Sequence, residues 1–365
     1  MSLSIGIVGL PNVGKSTLFN ALTKAQNAQA ANYPFCTIDP NKATVAVPDK
    51  RIDALAAKVK PQKTTYAKVD FIDIAGLVRG ASKGEGLGNR FLATIRECAA
   101  IVHVVRCFED ENIAHVAGGI HPLGDIETIE TELLLADLQS AENKLEKLQK
   151  TAKTGKDAKI ILPLMQNLLT HLNEGKPAGT FALPDNEAFL QLWNESGFLT
   201  AKPVIYCGNV DEASASGNAF SRQVEGLATA RGAGFIRVCA KLEEELQGLT
   251  EEERNELLSS YGIAESGLEG IIRAGYAALG LCSYFTAGPD EVRAWTIHDG
   301  WKAPQAAGVI HSDFERGFIR AEVISFNDYM KYENEAACRA AAVLRTEGKD
   351  YTVQDGDVIH FLFNV

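Results

Sequence analysis

No stretch of this 365-residue chain approaches the ~18 uninterrupted apolar residues of a membrane-spanning helix. Nor does a basic segment lead into an apolar one near residue 1, so no cleaved signal is expected and the expected location is the cytoplasm. Cysteine is scattered: seven residues, none in a Cys-x-x-Cys pair. That spacing suits a reducing compartment and argues against a disulfide framework. Basic charge is outnumbered, with 36 Lys and Arg against 47 Asp and Glu, for a net charge of -11. That balance argues against a protein that coats nucleic acid by bulk charge and leaves room for a local basic patch. The rest of the composition is ordinary for a globular protein, 46% hydrophobic and 23% charged. The length supports two or three domains, each with its own core.

The chemistry begins at Gly9-Leu10-Pro11-Asn12-Val13-Gly14-Lys15-Ser16. This fits the phosphate-loop pattern G-x-x-x-x-G-K-[ST], which average residue usage produces by chance in roughly one chain of this length in a hundred. Its flanks fit too. Leu3-Ser4-Ile5-Gly6-Ile7-Val8 reads as a buried strand, and Thr17-Leu18-Phe19-Asn20-Ala21-Leu22 as the opening turns of a helix. Such a loop turns successive N–H groups toward phosphate oxygens, and the helix start adds its positive dipole end. Asn12, Val13, Gly14, Lys15, Ser16 and Thr17 are the candidate phosphate contacts. Lys15 can reach the β- and γ-phosphates, and the Ser16 hydroxyl can ligate Mg²⁺.

Downstream, Asn32-Tyr33-Pro34-Phe35-Cys36-Thr37-Ile38-Asp39-Pro40-Asn41 reads as a loop placed to fold over the γ-phosphate. Thr37 is its candidate second hydroxyl on Mg²⁺; a capping threonine in an ordinary turn is the plainer alternative. An apolar strand then ends in Asp73-Ile74-Ala75-Gly76. Asp73 is the candidate carboxylate supporting Mg²⁺ from beyond its direct ligands, and Gly76 lets a backbone N–H approach the γ-phosphate. Gly80, Gly84, Gly86 and Gly88 mark the next stretch as a nucleotide-sensing loop. Leu77 stands where many GTPases keep the glutamine that orients the attacking water, so another group must orient it. His103 lies in a nearly continuous apolar run and reads as a core histidine. His115, less buried by pattern, is the candidate for proton or water handling.

From about Asp125 the texture changes. Leu134, Leu138, Ala141, Leu145 and Leu148 recur near every 3.5 residues among Glu and Lys, the pattern of a two-helix coiled-coil seam. Ile160 to Leu172 could return antiparallel. Lys144, Lys147, Lys150, Lys153, Lys156 and Lys159 wind round the helix as a stripe, either a solvated surface or a local phosphate-binding patch. Pro177 to Pro184 reads as a linker and Asn186 to Glu195 as a short helix. Strands return at Lys202 to Val210 and Gly234 to Lys241, and Leu268 to Leu281 reads as a closing helix. The helical stretch therefore interrupts one α/β domain, because a phosphate-loop fold needs about five parallel strands with helical crossovers. The remaining residues read as a small α+β domain. It has strands at Val292 to Ile297 and Ile319 to Ile324, a short helix within Ala303 to His311 and a helix from Glu335 to Thr346. A hairpin-like ending runs from Tyr351 to Phe363. The expected domains are 1–125 with 200–280, 126–199, and 281–365.

The phosphate loop, the Asn32-to-Asn41 loop, Asp73-Ile74-Ala75-Gly76-Leu77-Val78 and Gly84-Glu85-Gly86-Leu87-Gly88-Asn89 resemble the YchF group of Obg-related P-loop proteins (Obg-like ATPases). The similarity covers essentially the whole chain. Phe318-Ile319-Arg320-Ala321-Glu322 and Asp355-Gly356-Asp357-Val358 resemble the group's C-terminal TGS domain. The resemblance implies a G-domain-like P-loop fold, an antiparallel coiled-coil insertion and a β-grasp (TGS) domain. It also implies a ribosome or ribosomal RNA partner, and K⁺ held near the phosphates by Asn12.

Asn209-Val210-Asp211-Glu212 stands where GTPases carry Asn-Lys-x-Asp. Their aspartate accepts from guanine N1–H and N2–H₂, donors that adenine lacks. Glu212 is one methylene longer, which weakens the case for guanine without proving adenine. The resemblance implies ATP over GTP, with Asn209 and Val210 along the base. Ala240 and Lys241 resemble the loop that closes over it. The chain is thus read as an Mg²⁺-dependent ATP-hydrolysing switch, slow on its own, monomeric and without a membrane partner. A GTPase with a relaxed base pocket and a non-catalytic adaptor holding ATP as a structural ligand stay open as alternatives.

Overall fold

An apolar run without alternation should be covered on both faces, and β1 (Ser4–Val8) is buried throughout. The computed structural model describes residues 4–30, 41–74, 87–110, 119–151, 156–332 and 334–364. After β1 come α1 (Lys15–Ala30), β2 (Lys42–Ala46), α2 (Lys50–Val59), β3 (Lys63–Thr65), β4 (Lys68–Asp73), α3 (Leu87–Glu97) and β5 (Ala100–Arg106). The chain divides into two compact units: Met1–Ala43 with Asp70–Ile271, and Thr44–Val69 with Ile272–Val365.

The first sheet has the order β2-β4-β1-β5-β6-β7, with β6 at Val204–Asn209 and β7 at Gly234–Val238. β1 runs parallel to β4 and β5, β5 to β6, and β6 to β7. That is the five-strand parallel core expected from the sequence, with β5 at its centre and β1 beside it. β5 is buried at every position. His103 within it is a core residue, 3% exposed, and burial pushes its imidazole down to about 3.

Between β5 and β6 in sequence lie α4 (Pro122–Thr151), α5 (Lys156–Asn173) and α6 (Glu187–Ser196). The expected apolar residues Leu134, Leu138, Ala141, Leu145 and Leu148 of α4 share one cluster with Ile161, Met165, Leu168 and Leu172 of α5. Asn186 caps α6 by accepting from Phe189 N–H. Asp137, fully buried on α4, accepts from Leu199 N–H at 2.8 Å, Thr200 N–H at 2.8 Å and the Thr200 hydroxyl at 2.7 Å. These bonds tie α4 to the turn that leads into β6. The helices α7 (Ala219–Ala230), α8 (Ala240–Leu246), α9 (Glu251–Ser260) and α10 (Gly267–Ala278) follow. No helix among the described residues is long and apolar enough to cross a membrane.

In the second unit, β8 (Leu281–Ala287) and β9 (Glu291–His298) pair antiparallel. Then come α11 (Ala303–Gly308), α12 (Ser312–Arg316), β10 (Phe318–Ser325), α13 (Phe326–Lys331), α14 (Glu335–Ala340), β11 (Arg345–Glu347) and β12 (Asp357–Phe363). The sheet order is β11-β10-β12-β8-β9-β3. Tyr284, Ile297, Ala321, Val323, Ile359 and Phe361 belong to its core cluster.

Three expectations change here. The helix expected over Glu335–Thr346 stops at Ala340. Ala342 is left-handed (φ 57°), and Val343 N–H returns to Cys338 C=O at 3.1 Å, closing the end before β11. The expected terminal hairpin is instead one strand. β12 pairs antiparallel with β10 and parallel with β8, while Thr352 makes a bridge to Lys302. Finally, residues 44–69, which the sequence groups with 1–125, belong to the C-terminal unit. There β3 extends the sheet parallel to β9. Ile52 and Leu55 of α2 are fully buried. Arg51 reaches Asp355 at 2.8 Å and lies over the Phe285 ring. Lys58 Nζ donates to Tyr329 C=O at 2.6 Å.

Candidate functional site

β1 ends at Val8 and α1 opens at Lys15, so Gly9–Gly14 form the loop between a buried strand and a helix N-terminus. Two positions admit only glycine. A Cβ at Gly9 would lie 2.4 Å from Val104 C=O, and one at Gly14 (φ 97°) would lie 2.1 Å from Asn209 Nδ2. Asn12 is left-handed (φ 63°), a conformation asparagine tolerates. Asn12 and Ser16 are exposed, Thr17 is half-buried, and Val13 is buried.

Lys15 is 7% exposed and donates through Nζ to Leu10 C=O at 2.7 Å. Burial lowers its ammonium to about 8, against the opposing pull of the Asp73 charge. Asp73 closes β4 and faces Ile7 of β1 in register. Burial raises its carboxyl, and the Lys15 charge works the other way. Asp73 Oδ1 is buried with no hydrogen-bond partner among the described residues. The sheet therefore sets a partly buried carboxylate, with one acceptor unsatisfied, within electrostatic reach of the loop lysine.

Asn209, at the end of β6, is 4% exposed. Its Nδ2 donates to Val13 C=O at 2.8 Å, and its Oδ1 accepts from Ala240 N–H at 3.0 Å. The side chain expected along a base is thus a strut joining the phosphate loop to the start of α8. Val210 is also turned inward, in a cluster with Val105, Cys107 and Ile126. Glu212 opens the short turn beyond and pairs with Lys241 at 2.7 Å. That ion pair was not read from the sequence. The signal available was opposite charge just past the C-terminal ends of two adjacent parallel strands.

Thr37, Gly76 and His115 lie outside the described residues, as do Cys36 and Leu77. Of the lysine stripe, Lys144 is half-buried, while Lys150 is exposed and pairs with Glu146 at 2.6 Å. Lys153 is outside the described residues.

A family model described as "50S ribosome-binding GTPase" matches residues 4–162. The YchF GTPase C-terminal family, described as "Protein of unknown function (DUF933)", matches residues 281–364. The chain is 55% identical over 366 residues to the Ribosome-binding ATPase YchF of Haemophilus influenzae, and 50% identical over 369 residues to that of Bacillus subtilis. Each alignment covers 100% of both chains. The chain belongs to the YchF family. The solved YchF GTPase of Schizosaccharomyces pombe aligns with a TM-score of 0.89 at 42% identity, over 99% of this chain and 98% of that one. A GTP-binding protein from Pyrococcus horikoshii aligns with a TM-score of 0.61 at 20% identity over 100% of both chains, and shares the fold. The YchF architecture here comprises a P-loop GTPase-like α/β unit and a unit with a mixed sheet. The relatives' names divide on the nucleotide: ATPase for the two bacterial proteins, GTPase for the fission-yeast one.

Proposed function

We propose that this YchF protein is an Mg²⁺-dependent, ATP-hydrolysing switch that acts with the ribosome in the cytoplasm. The observation that carries the reading is the buried Lys15 with the partly buried Asp73 at a loop whose Gly9 and Gly14 admit no side chain. Loop N–H groups and Lys15 would hold the phosphates, and Gly76 N–H would meet the γ-phosphate. Mg²⁺ fits the donor set. Asp73 offers an unsatisfied buried oxygen, and the Ser16 hydroxyl is exposed in the first turn of α1. Ser16 and Thr37 would ligate the ion and Asp73 would support it. When bound, it neutralises charge on the phosphates. Thr17 would add a phosphate contact, and His115 would handle the proton or orient the water that Leu77 cannot.

ATP is favoured by Glu212 in place of the guanine-reading aspartate and by the bacterial relatives' name. GTP is the second reading, favoured by the name of the fission-yeast protein. The apolar seam of α4 and α5 supports an antiparallel coiled coil. The mixed sheet with α11 and α12 supports a β-grasp TGS domain. Both would serve as surfaces for the ribosome. The deciding experiment titrates nucleotide-free protein with fluorescent ATP and GTP analogues against unlabelled competitors, with Mg²⁺ present. A tenfold ATP advantage, about 1.4 kcal/mol, supports the proposal; a GTP advantage rejects it. K⁺ is proposed at Asn12, and equal turnover in K⁺ and Na⁺ buffers removes it.

A further inference from the structure

We infer that Lys241 sets base selectivity by holding the Glu212 carboxylate in an ion pair, so that both its oxygens cannot turn to guanine. The inference rests on the ATP reading above and deepens it. β6 and β7 are parallel neighbours with Asn209 opposite Val238, so the segments leaving their C-terminal ends run side by side. Both backbones are fixed. Asn209 Oδ1 accepts from Ala240 N–H at 3.0 Å, one residue before Lys241. Asp211 caps the turn holding Glu212 by accepting from Ser214 N–H at 2.7 Å. Between these anchors, Lys241 Nζ meets Glu212 Oε1 at 2.7 Å. The hydrogen bond to Glu212 also raises the Lys241 ammonium's pKa.

Hydrogen-bond inventory gives the consequence. Guanine presents N1–H and N2–H₂ side by side, two donors that call for two acceptor oxygens. Adenine presents one donor, N6–H₂, beside one acceptor, N1. A carboxylate oxygen next to an ammonium offers one acceptor and one donor, which matches adenine. The longer reach of glutamate does not by itself exclude guanine; the lysine that occupies one of its oxygens disfavours it. Discrimination then comes as much from denying guanine its partner as from greeting adenine.

The test is competition binding of ATP and GTP, with Mg²⁺, to the full chain and to Lys241→Met, Lys241→Arg, Glu212→Gln and the Glu212→Gln/Lys241→Met double variant. Lys241→Met is expected to shift the ratio of GTP to ATP affinity about fivefold toward GTP, the upper range for an exposed pair. Lys241→Arg keeps the original ratio. In the Glu212→Gln background, Lys241→Met adds no shift, because its action runs through the carboxylate. An unchanged ratio in Lys241→Met overturns the inference. So does a shift of equal size in both backgrounds, which would mean that the lysine acts on the base directly. The ratio is an internal control, since partial misfolding weakens both nucleotides alike. A GTP preference in the unaltered chain would instead sink the ATP reading, so the two failures are separable.

Discussion

Burial brings the Lys15 ammonium down to about 8 from an ordinary 10.5. Between those values the unfolded chain binds more protons than the folded one, so this group makes stability rise with pH across that window. Its penalty is complete below pH 8. Phosphate oxygens restore the charged form. Nucleotide binding at pH 8.5 should therefore take up a proton, while binding at pH 6.5 should take up none at this site. Titration calorimetry in buffers of different ionisation enthalpy reads this directly; buffer-independent heat at pH 8.5 would contradict it. Lys15→Met should weaken nucleotide binding on the order of a hundredfold. The nucleotide-free variant should melt no lower than the unaltered chain at neutral pH, because the cost of burying the ammonium is gone. If Lys15→Met retains partner binding and cellular function, the adaptor reading gains. Asn209→Ala removes both ends of a buried strut and should cost about 2–3 kcal/mol in urea unfolding. The glycines and Lys15 were legible because the loop's chemistry is local. The strut was not, because Val13, Asn209 and Ala240 meet only when β1, β6 and β7 are in place.

At the scale of elements, legibility followed periodicity. The seam of α4 and α5 could be read because apolar residues recur at helical spacing over several turns. What fixes α4 to the sheet could not, since Asp137 and its partners Leu199 and Thr200 are far apart in sequence. Burial raises the Asp137 carboxyl against the hydrogen bonds that favour its charge. Asp137→Ala would leave the buried Leu199 N–H and the partly buried Thr200 N–H without their acceptor and should cost about 3 kcal/mol, seen as a lower urea midpoint. Ends were harder to read than bodies. α14 stops at Ala340 and is closed off by a left-handed alanine, Ala342, where no glycine announces it. The last strand read as half of a hairpin because its partners β10 and β8 are remote in sequence.

At the scale of the molecule, the C-terminal unit depends on a segment from the N-terminal third of the chain. α2 packs near β8 and β9, Arg51 spans Asp49 and Asp355, and β3 pairs with β9. Residues 272–365 expressed alone should lack a cooperative thermal transition and bind a hydrophobic dye. Joining residues 44–69 to them through a flexible linker should restore a cooperative melt; a sharp melt without the segment would refute this. The sequence by itself determined the phosphate loop, the central buried strands and the paired helices, because each is written in a short motif or a local period. Only the tertiary structure decided that β3 joins the second sheet, that Asn209 braces the loop, and that Glu212 is held by Lys241. Those choices rest on contacts between residues distant along the chain, which no local pattern encodes.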